Sequence, residues 1–289
     1  MSRLAYVNGR LVPLADATVH IEDRGFQFAD GVYEVAATLN GRMLDWPQHV
    51  ARLGRSLREL SIAAPMSDAA LSIVARRVLA ANRIRDGLLY VQVTRGAARR
   101  DHPFPADAVP TLVMTARPFD FRVRVAQQKT GISVITQPES RWQRRDIKSI
   151  ALLPNVLAKQ SAREAKAFEA WFVNPDGTVS EGSSTNAWIV RKDGTIVTHP
   201  ATESILHGVM RGTLLALARE HQIRVEEAPF TAADALDAAE AFLTSTTAPC
   251  LPIISIDGNP VGKGVPGPVT ARLAEALWAE VERQTGWRR

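Results

Sequence analysis

Two residues that are distant in the sequence carry side chains whose combination is chemically specific. Lys148 lies in Arg145-Asp146-Ile147-Lys148-Ser149, and Glu181 begins the run Glu181-Gly182-Ser183-Ser184-Thr185-Asn186. A lysine amine can form an imine, and a carboxylate can keep a heteroaromatic nitrogen protonated. These are the two protein groups that pyridoxal phosphate needs most. Alone, each would be ordinary, because most lysines are solvated charges and glycine with serine is typical of a turn.

Three further motifs accompany these two in a fixed order along the chain. They are Asp23-Arg24-Gly25-Phe26-Gln27-Phe28-Ala29-Asp30-Gly31-Val32-Tyr33-Glu34-Val35 and His49-Val50-Ala51-Arg52-Leu53 before Lys148, and Thr244-Ser245-Thr246-Thr247 after Glu181. In this order the five motifs resemble the class IV aminotransferases, the pyridoxal phosphate enzymes of fold type IV. The resemblance covers essentially the whole chain, and it is closest to the D-amino-acid transaminases. It implies an α+β fold with a small N-terminal α/β domain and a larger C-terminal mixed α/β domain that binds the cofactor.

The resemblance implies a cofactor role for residues of several motifs. Lys148 corresponds to the Schiff-base lysine, which also moves the proton at the substrate Cα, and Glu181 corresponds to the partner of the pyridine nitrogen. Arg52 would bind the phosphate, for which a forked guanidinium is well suited. Leu206 would pack against one face of the ring. Further phosphate contacts are expected where a helix begins and in a hydroxyl-rich turn, from Val209, Met210, Ser245 and Thr246.

Substrate recognition is expected from Tyr33, Arg100 and His102, which match the carboxylate trap of the D-amino-acid transaminases. A carboxylate needs a guanidinium and neutral donors fixed on one side of the ring. In that family the enzyme is a homodimer, and the loop that carries the Arg100 and His102 positions reaches into the site of the partner. Asp101 lies between these two residues, where it could pair with either of them and weaken the trap.

The implied reaction exchanges an amino group between a D-amino acid, with D-alanine first, and a 2-oxo acid such as 2-oxoglutarate or pyruvate. Branched-chain L-amino-acid transaminases, (R)-amine transaminases and aminodeoxychorismate lyase share the fold and the lysine, so Lys148 does not separate these alternatives. The trio of Tyr33, Arg100 and His102 favours the D-specific enzymes. A basic protein that binds nucleic acid or another ligand without chemistry is supported only by the net charge of +5 and the pI near 9.7.

Composition argues against several other classes of protein. The arginines lack an interleaved aromatic platform, so we expect small anionic metabolites as partners rather than nucleic acid. No apolar run approaches the ~20 residues of a membrane span. The histidines lack metal-ligand spacing, so no metal is expected. The lone cysteine, Cys250, lies in an apolar run and favours a buried thiol in a reducing cytoplasm.

The elements that must position these residues follow from hairpin and helix signals. Asn8-Gly9 and Asn40-Gly41 each separate strand-like segments, which predicts two hairpins. Pro47 favours the start of a helix whose apolar face contains Val50, Leu53 and Leu57. Most strands are hairpin-linked, which indicates a mixed α+β plan rather than a doubly wound parallel sheet. We expect a small domain over residues 1–118, a connector over 119–125 and a large domain over 126–289.

Overall fold

The computed structural model describes residues 3–289, which form two compact units. The first unit contains the chain up to Asp120 together with Ile147–Ala151 and Gln284–Trp287. The second contains Phe121–Asp146, Leu152–Arg283 and Arg288–Arg289. Lys148 therefore belongs to the first unit, although the stretches on both sides of its segment belong to the second.

The first unit is an antiparallel sheet with helices packed against it. Its elements are β1 (Leu4–Val7), β2 (Arg10–Pro13), α1 (Arg24–Phe28), β3 (Gly31–Leu39), β4 (Arg42–Met43), α2 (Trp46–Glu59), α3 (Asp68–Ala81), β5 (Gly87–Thr94) and β6 (Thr111–Pro118). The strands pair in the order β2-β1-β6-β5-β3-β4. Both predicted hairpins are confirmed, and the residues of each Asn-Gly pair have positive φ, as this tight turn requires. The predicted face of α2 is also confirmed, because Val50, Leu53 and Leu57 lie in the core.

The second unit is a larger mixed sheet with helices around it. Its elements are α4 (Arg122–Thr130), β7 (Ile132–Pro138), α5 (Leu153–Glu164), β8 (Glu169–Val173), β9 (Val179–Gly182), β10 (Asn186–Val190), β11 (Ile196–Thr198), α6 (Val209–Glu220), β12 (Val225–Glu227), α7 (Ala232–Asp237), β13 (Glu240–Ser245), β14 (Ala248–Ile256), β15 (Asn259–Pro260) and α8 (Pro268–Thr285). The strand order is β12-β11-β10-β13-β14-β7-β8-β9, and β15 pairs with β14. β7 pairs in parallel with β8 and β14, whereas most other pairs are antiparallel. The expected α+β class is confirmed.

Three features of these units position the predicted functional residues. The segment around Lys148 pairs with β3 through an isolated bridge between Val32 and Ser149. A tight turn links β9 to β10, in which the Gly182 amide donates to the Thr185 carbonyl at 2.7 Å. Helix α6 begins directly after Gly208. Among residues 3–289, no helix is both long and apolar enough to cross a membrane.

Candidate active site

Lys148 lies in the first unit, beside β3, with its backbone held on both sides. The Tyr33 amide donates to the Lys148 carbonyl at 3.0 Å, and the Lys148 amide donates to Ser56 Oγ at 3.3 Å. The Lys148 Nζ is 4.2 Å from the centroid of the Tyr33 ring. The structure thus brings the predicted imine-forming lysine together with Tyr33, one of the three predicted substrate residues.

Arg52 lies on α2, and its guanidinium extends to a buried acid on β3. Its Nε and Nη2 donate to the two carboxylate oxygens of Glu34 at 2.7 and 2.8 Å. His49 Nδ1 lies 2.7 Å from Glu34 Oε2. Burial by itself raises the pKa of Glu34, but Arg52 and His49 outweigh this effect and lower the pKa to about 2. The ionised carboxylate therefore fixes the guanidinium that is predicted to bind phosphate.

Arg100 and His102 lie in the exposed loop after β5, and both side chains contact one aromatic ring. The Arg100 Cζ is 5.0 Å from the centroid of the Phe28 ring, and the His102 ring centroid is 5.6 Å from it. The Asp101 carboxylate accepts a hydrogen bond from the His102 amide at 2.8 Å, and within residues 3–289 it forms no ion pair with Arg100 or His102. Within the described residues, neither Arg100 nor His102 forms a hydrogen bond or a ring contact with Tyr33.

Glu181 lies on β9 in the second unit and is buried, with 4% of its surface exposed. Its carboxylate accepts hydrogen bonds from Arg141 Nη1 at 2.6 Å, Asn186 Nδ2 at 3.1 Å and the Leu206 amide at 3.1 Å. Arg141 also donates to Glu139 at 2.7 Å. Burial raises the pKa of Glu181, and Arg141 opposes that effect. Three donors therefore hold the Glu181 carboxylate in one orientation. Its ionisation depends on the balance between burial, which favours the neutral acid, and Arg141, which favours the carboxylate.

Asn186 connects Glu181 to the start of α6. Besides its bond to Glu181, its Nδ2 donates to the Leu206 carbonyl at 2.9 Å. A Cβ built on Gly208 would lie 2.0 Å from Asn186 Oδ1, so this close approach requires glycine. Within the described residues no side chain caps α6, whose first-turn amides include those of Val209 and Met210. Uncapped amides at the start of a helix bind anions, so this geometry fits a phosphate group.

The hydroxyl-rich turn after β13 is adjacent to Asn186. In the sheet Asn186 pairs with Thr244, which precedes Ser245. Ser245 Oγ lies 3.4 Å from Thr247 Oγ1 and accepts from the Ala248 amide at 3.1 Å, so part of its bonding capacity stabilises the turn itself. The structure therefore brings Glu181, Leu206, the start of α6 and Ser245 together around Asn186.

Sequence reasoning missed four residues that hold the predicted ones. Glu34 binds Arg52 and is itself bonded by His49, and Arg141 and Asn186 hold Glu181. Glu34, His49 and Asn186 lie inside the motifs already noted, so motif membership was the available signal for them. Arg141 lies outside every motif. Their partners could not be found in the sequence, because each contact joins different elements of the fold.

Comparison with known proteins identifies the relatives of this chain. It matches the model of the amino-transferase class IV family over residues 31–256. It is 43% identical over 278 residues to a D-alanine aminotransferase of Bacillus licheniformis, a match that covers 96% of this chain and 97% of the relative. A D-alanine aminotransferase of Listeria monocytogenes is 40% identical over 281 residues, or 97% of this chain and 96% of the relative. Among solved structures, a branched-chain aminotransferase of Thermoproteus uzoniensis with norvaline has a TM-score of 0.85 at 26% identity, with 99% of this chain and 96% of that chain covered.

Proposed function

Because this chain belongs to the class IV aminotransferases, which are pyridoxal phosphate enzymes, we propose that it transfers an amino group from a D-amino acid to a 2-oxo acid. D-Alanine is the proposed donor, and 2-oxoglutarate or pyruvate is the proposed acceptor. The observation that carries this proposal is the likeness to two D-alanine aminotransferases over nearly the whole chain. The presence of Tyr33, Arg100 and His102 supports it, because these residue types can hold a substrate carboxylate.

We assign the cofactor contacts to the residues that the motifs named. Lys148 Nζ would form the covalent bond, Arg52 would bind the phosphate and Glu181 would bind the ring nitrogen. Bound pyridoxal phosphate supplies a ring that withdraws electrons from the substrate carbon. Leu206 would pack on the ring. The remaining phosphate contacts are assigned to the Val209 and Met210 amides and to Ser245 and Thr246.

The geometry supports distinct tasks for the two principal residues. The fixed backbone of Lys148 lets Nζ return to one place. There it would accept the proton from the substrate Cα and deliver it to C4′ of the bound cofactor. Glu181 is buried and oriented by three donors, so it can hold a proton at the ring nitrogen without losing its position. The two substrates would bind in turn, each with its carboxylate in the same trap.

The test of the reaction compares amino donors with the purified holoenzyme. Each donor is added alone, and the absorbance of the cofactor reports the half-reaction in which the amino group reaches it. We expect D-alanine to react much faster than L-leucine, L-valine or (R)-1-phenylethylamine. A preference for L-leucine or L-valine would favour the branched-chain alternative, to which the solved-structure likeness points, and would overturn the D-specific proposal.

We also propose that the enzyme is a homodimer in which the loop with Arg100 and His102 reaches the partner's site. Exposed apolar side chains support association, since large contiguous apolar patches are uncommon on monomers. On α5, Leu153, Val156 and Leu157 share one helical face and are 68%, 59% and 60% exposed. In the first unit, Phe26 is 73% exposed.

Complementation between two variants with different defects tests this arrangement, with D-alanine kept well below its wild-type KM. Lys148→Ala and Arg100→Leu subunits, carrying different tags, are co-expressed and the mixed dimer is purified. If the loop acts in the partner, one site of each mixed dimer has both an intact lysine and an intact loop. The mixed dimer should then recover about half of wild-type activity, because one of its two sites is intact. If the loop acts within its own subunit, one site lacks the lysine and the other has a defective trap, so activity does not rise above that of Arg100→Leu.

We place the enzyme in the cytoplasm. Cys250 is fully buried, and burial raises the pKa of its thiol, which keeps it unreactive. A lone buried thiol fits a reducing compartment.

A further inference from the structure

The first motif, residues 23–35, contains polar and aromatic residues that have no proposed role in binding the cofactor. Arg24 and Phe28 belong to α1, and Asp30 follows it. Arg24 is only 3% exposed, although its guanidinium is charged. A buried charge is costly unless it is paired and hydrogen-bonded, so its partners indicate its purpose.

Asp30 joins Arg24 to a second buried arginine. Its Oδ2 accepts from Arg24 Nε at 2.8 Å and from Arg95 Nε at 2.8 Å, and its Oδ1 accepts from Arg95 Nη2 at 3.0 Å. Burial by itself raises the pKa of Asp30, but the two guanidinium groups lower it overall. The carboxylate is therefore ionised at neutral pH and holds both guanidinium groups in fixed directions.

The remaining N–H groups of Arg24 reach the backbone of the substrate loop. Nη1 donates to the Asp101 carbonyl at 2.6 Å, and Nη2 donates to the His102 carbonyl at 3.2 Å. These two carbonyls belong to the two residues that directly follow Arg100. Because residues 99–104 are exposed, few buried contacts are available to hold this loop.

Side-chain contacts reinforce the two hydrogen bonds. The Phe28 ring lies 4.9 Å from the Arg24 Cζ, 5.0 Å from the Arg100 Cζ and 5.6 Å from the His102 ring. Arg95 lies over the Phe104 ring at 3.6 Å, at the far end of the same loop. Arg95 also donates to the Leu60 and Ser61 carbonyls, which tie it to the end of α2.

We propose that Arg24 and Phe28 are positioning residues for the substrate: Arg24 fixes the backbone that carries Arg100 and His102, and the Phe28 ring fixes their side chains. The inference rests on the proposed function only in naming the substrate carboxylate as what the loop binds. Neither residue needs to touch the substrate. They keep a charged, exposed loop in one conformation before the substrate carboxylate binds. The loop then loses less conformational entropy on binding.

The first measurement tests the loop without any substrate. Amide hydrogen exchange of the peptides that cover residues 97–106 is followed by mass spectrometry in the holoenzyme. In Arg24→Met, exchange in this loop should be faster than in the wild type by about tenfold or more, because two charge-assisted hydrogen bonds are lost. Arg3→Met is the matched control, since it also removes one arginine-to-carbonyl bond in the same unit, to Ala116 at 2.9 Å. The control should leave exchange in the loop unchanged.

The second measurement asks whether the loop position matters for the substrate. Arg24→Met should raise the KM for D-alanine by about tenfold while kcat and the absorbance of the bound cofactor stay within about twofold. Arg24→Lys keeps a charge beside Asp30 but cannot bind both carbonyls, so it should restore part of the KM. If Arg24→Met does not fold, Phe28→Leu takes its place as the test variant. It keeps an apolar side chain at this position and should also raise the KM for D-alanine while kcat stays within about twofold.

The outcomes separate this inference from the proposed function. If loop exchange in folded Arg24→Met matches the wild type, Arg24 does not position the loop, whatever the substrate is. If the loop loosens and Arg100→Leu raises the KM for D-alanine but Arg24→Met does not, the positioning role is overturned while the carboxylate trap stands. If Arg100→Leu itself leaves the KM unchanged, the proposed trap fails, and the exchange data still decide whether Arg24 orders the loop.

Discussion

Replacement of Glu34 by glutamine tests how the predicted phosphate-binding arginine is oriented, because it removes one charge at nearly constant volume. The Glu34 side chain is 2% exposed and bonds both Arg52 and His49. Its pKa falls from the ordinary 4.5 to about 2, although burial alone would raise it. Each pKa unit corresponds to about 1.4 kcal/mol, so ionised Glu34 contributes about 3 kcal/mol to the free energy of unfolding.

The sign of the pH dependence follows from the direction of this shift. Because the pKa of Glu34 is lower in the folded state than in the unfolded state, its contribution is complete above about pH 4.5 and is lost as the pH falls toward 2. At pH 7 we expect Glu34→Gln to unfold with a free energy about 3 kcal/mol below that of the wild type. At pH 3 the difference between the two proteins should be clearly smaller.

Urea unfolding of the cofactor-free protein at both pH values measures this difference, and absorbance titration gives the Kd of pyridoxal phosphate. We expect the Kd to rise about tenfold or more, since Arg52 loses the carboxylate that orients it. Glu226→Gln is the control, because it breaks the exposed 2.7 Å pair with Arg191 and should cost less than about 1 kcal/mol. If Glu34→Gln behaves like this control in both assays, Glu34 does not fix Arg52 and the reasoning is refuted.

Three further predictions test the cofactor assignments. Lys148→Ala should fold and bind pyridoxal phosphate noncovalently but not transaminate, and borohydride should label a Lys148 peptide in the wild type; an adduct on Lys129, Lys159 or Lys166 would refute the assignment. Glu181→Gln should keep the fold, as shown by circular dichroism, and lower kcat by about a hundredfold, because a neutral amide stabilises a protonated ring nitrogen poorly; near-full turnover would contradict this role. Gly208→Ala places a Cβ against Asn186 and should raise the Kd of pyridoxal phosphate, measured by absorbance, by about tenfold; an unchanged Kd would argue against a phosphate site at α6.

Local signals in the sequence predicted much of the secondary structure. The Asn-Gly hairpins and the apolar face of α2 depend on neighbouring residues only, and both were found where expected. Helix α4 was not predicted, since it has no buried residue and therefore no apolar periodicity to recognise. β3 is buried along most of its length, so buried and exposed residues do not alternate along it. The sequence therefore does not show to which face of the sheet the Glu34 side chain points.

The contacts within the candidate site were less predictable than its residues. The motifs named Lys148, Glu181 and Arg52, but a motif does not show which acid a guanidinium faces. Arg141 illustrates this limit, because it bonds the buried Glu181 on β9, which lies 40 residues away in the sequence. Such pairings depend on tertiary structure, where elements that are far apart in sequence meet.

The path of the chain between the two units restricts how this enzyme can be divided. The chain leaves the first unit at Phe121, returns for Ile147–Ala151 and returns again at Gln284. A fragment ending at Asp120 would lack Lys148 and the carbonyl that holds the Tyr33 amide. Neither unit is therefore a transferable module, and recombination between relatives within residues 121–146 would separate the first unit from the lysine that completes it. Domain shuffling, split reporters and circular permutants must keep all five crossings intact, at 120/121, 146/147, 151/152, 283/284 and 287/288.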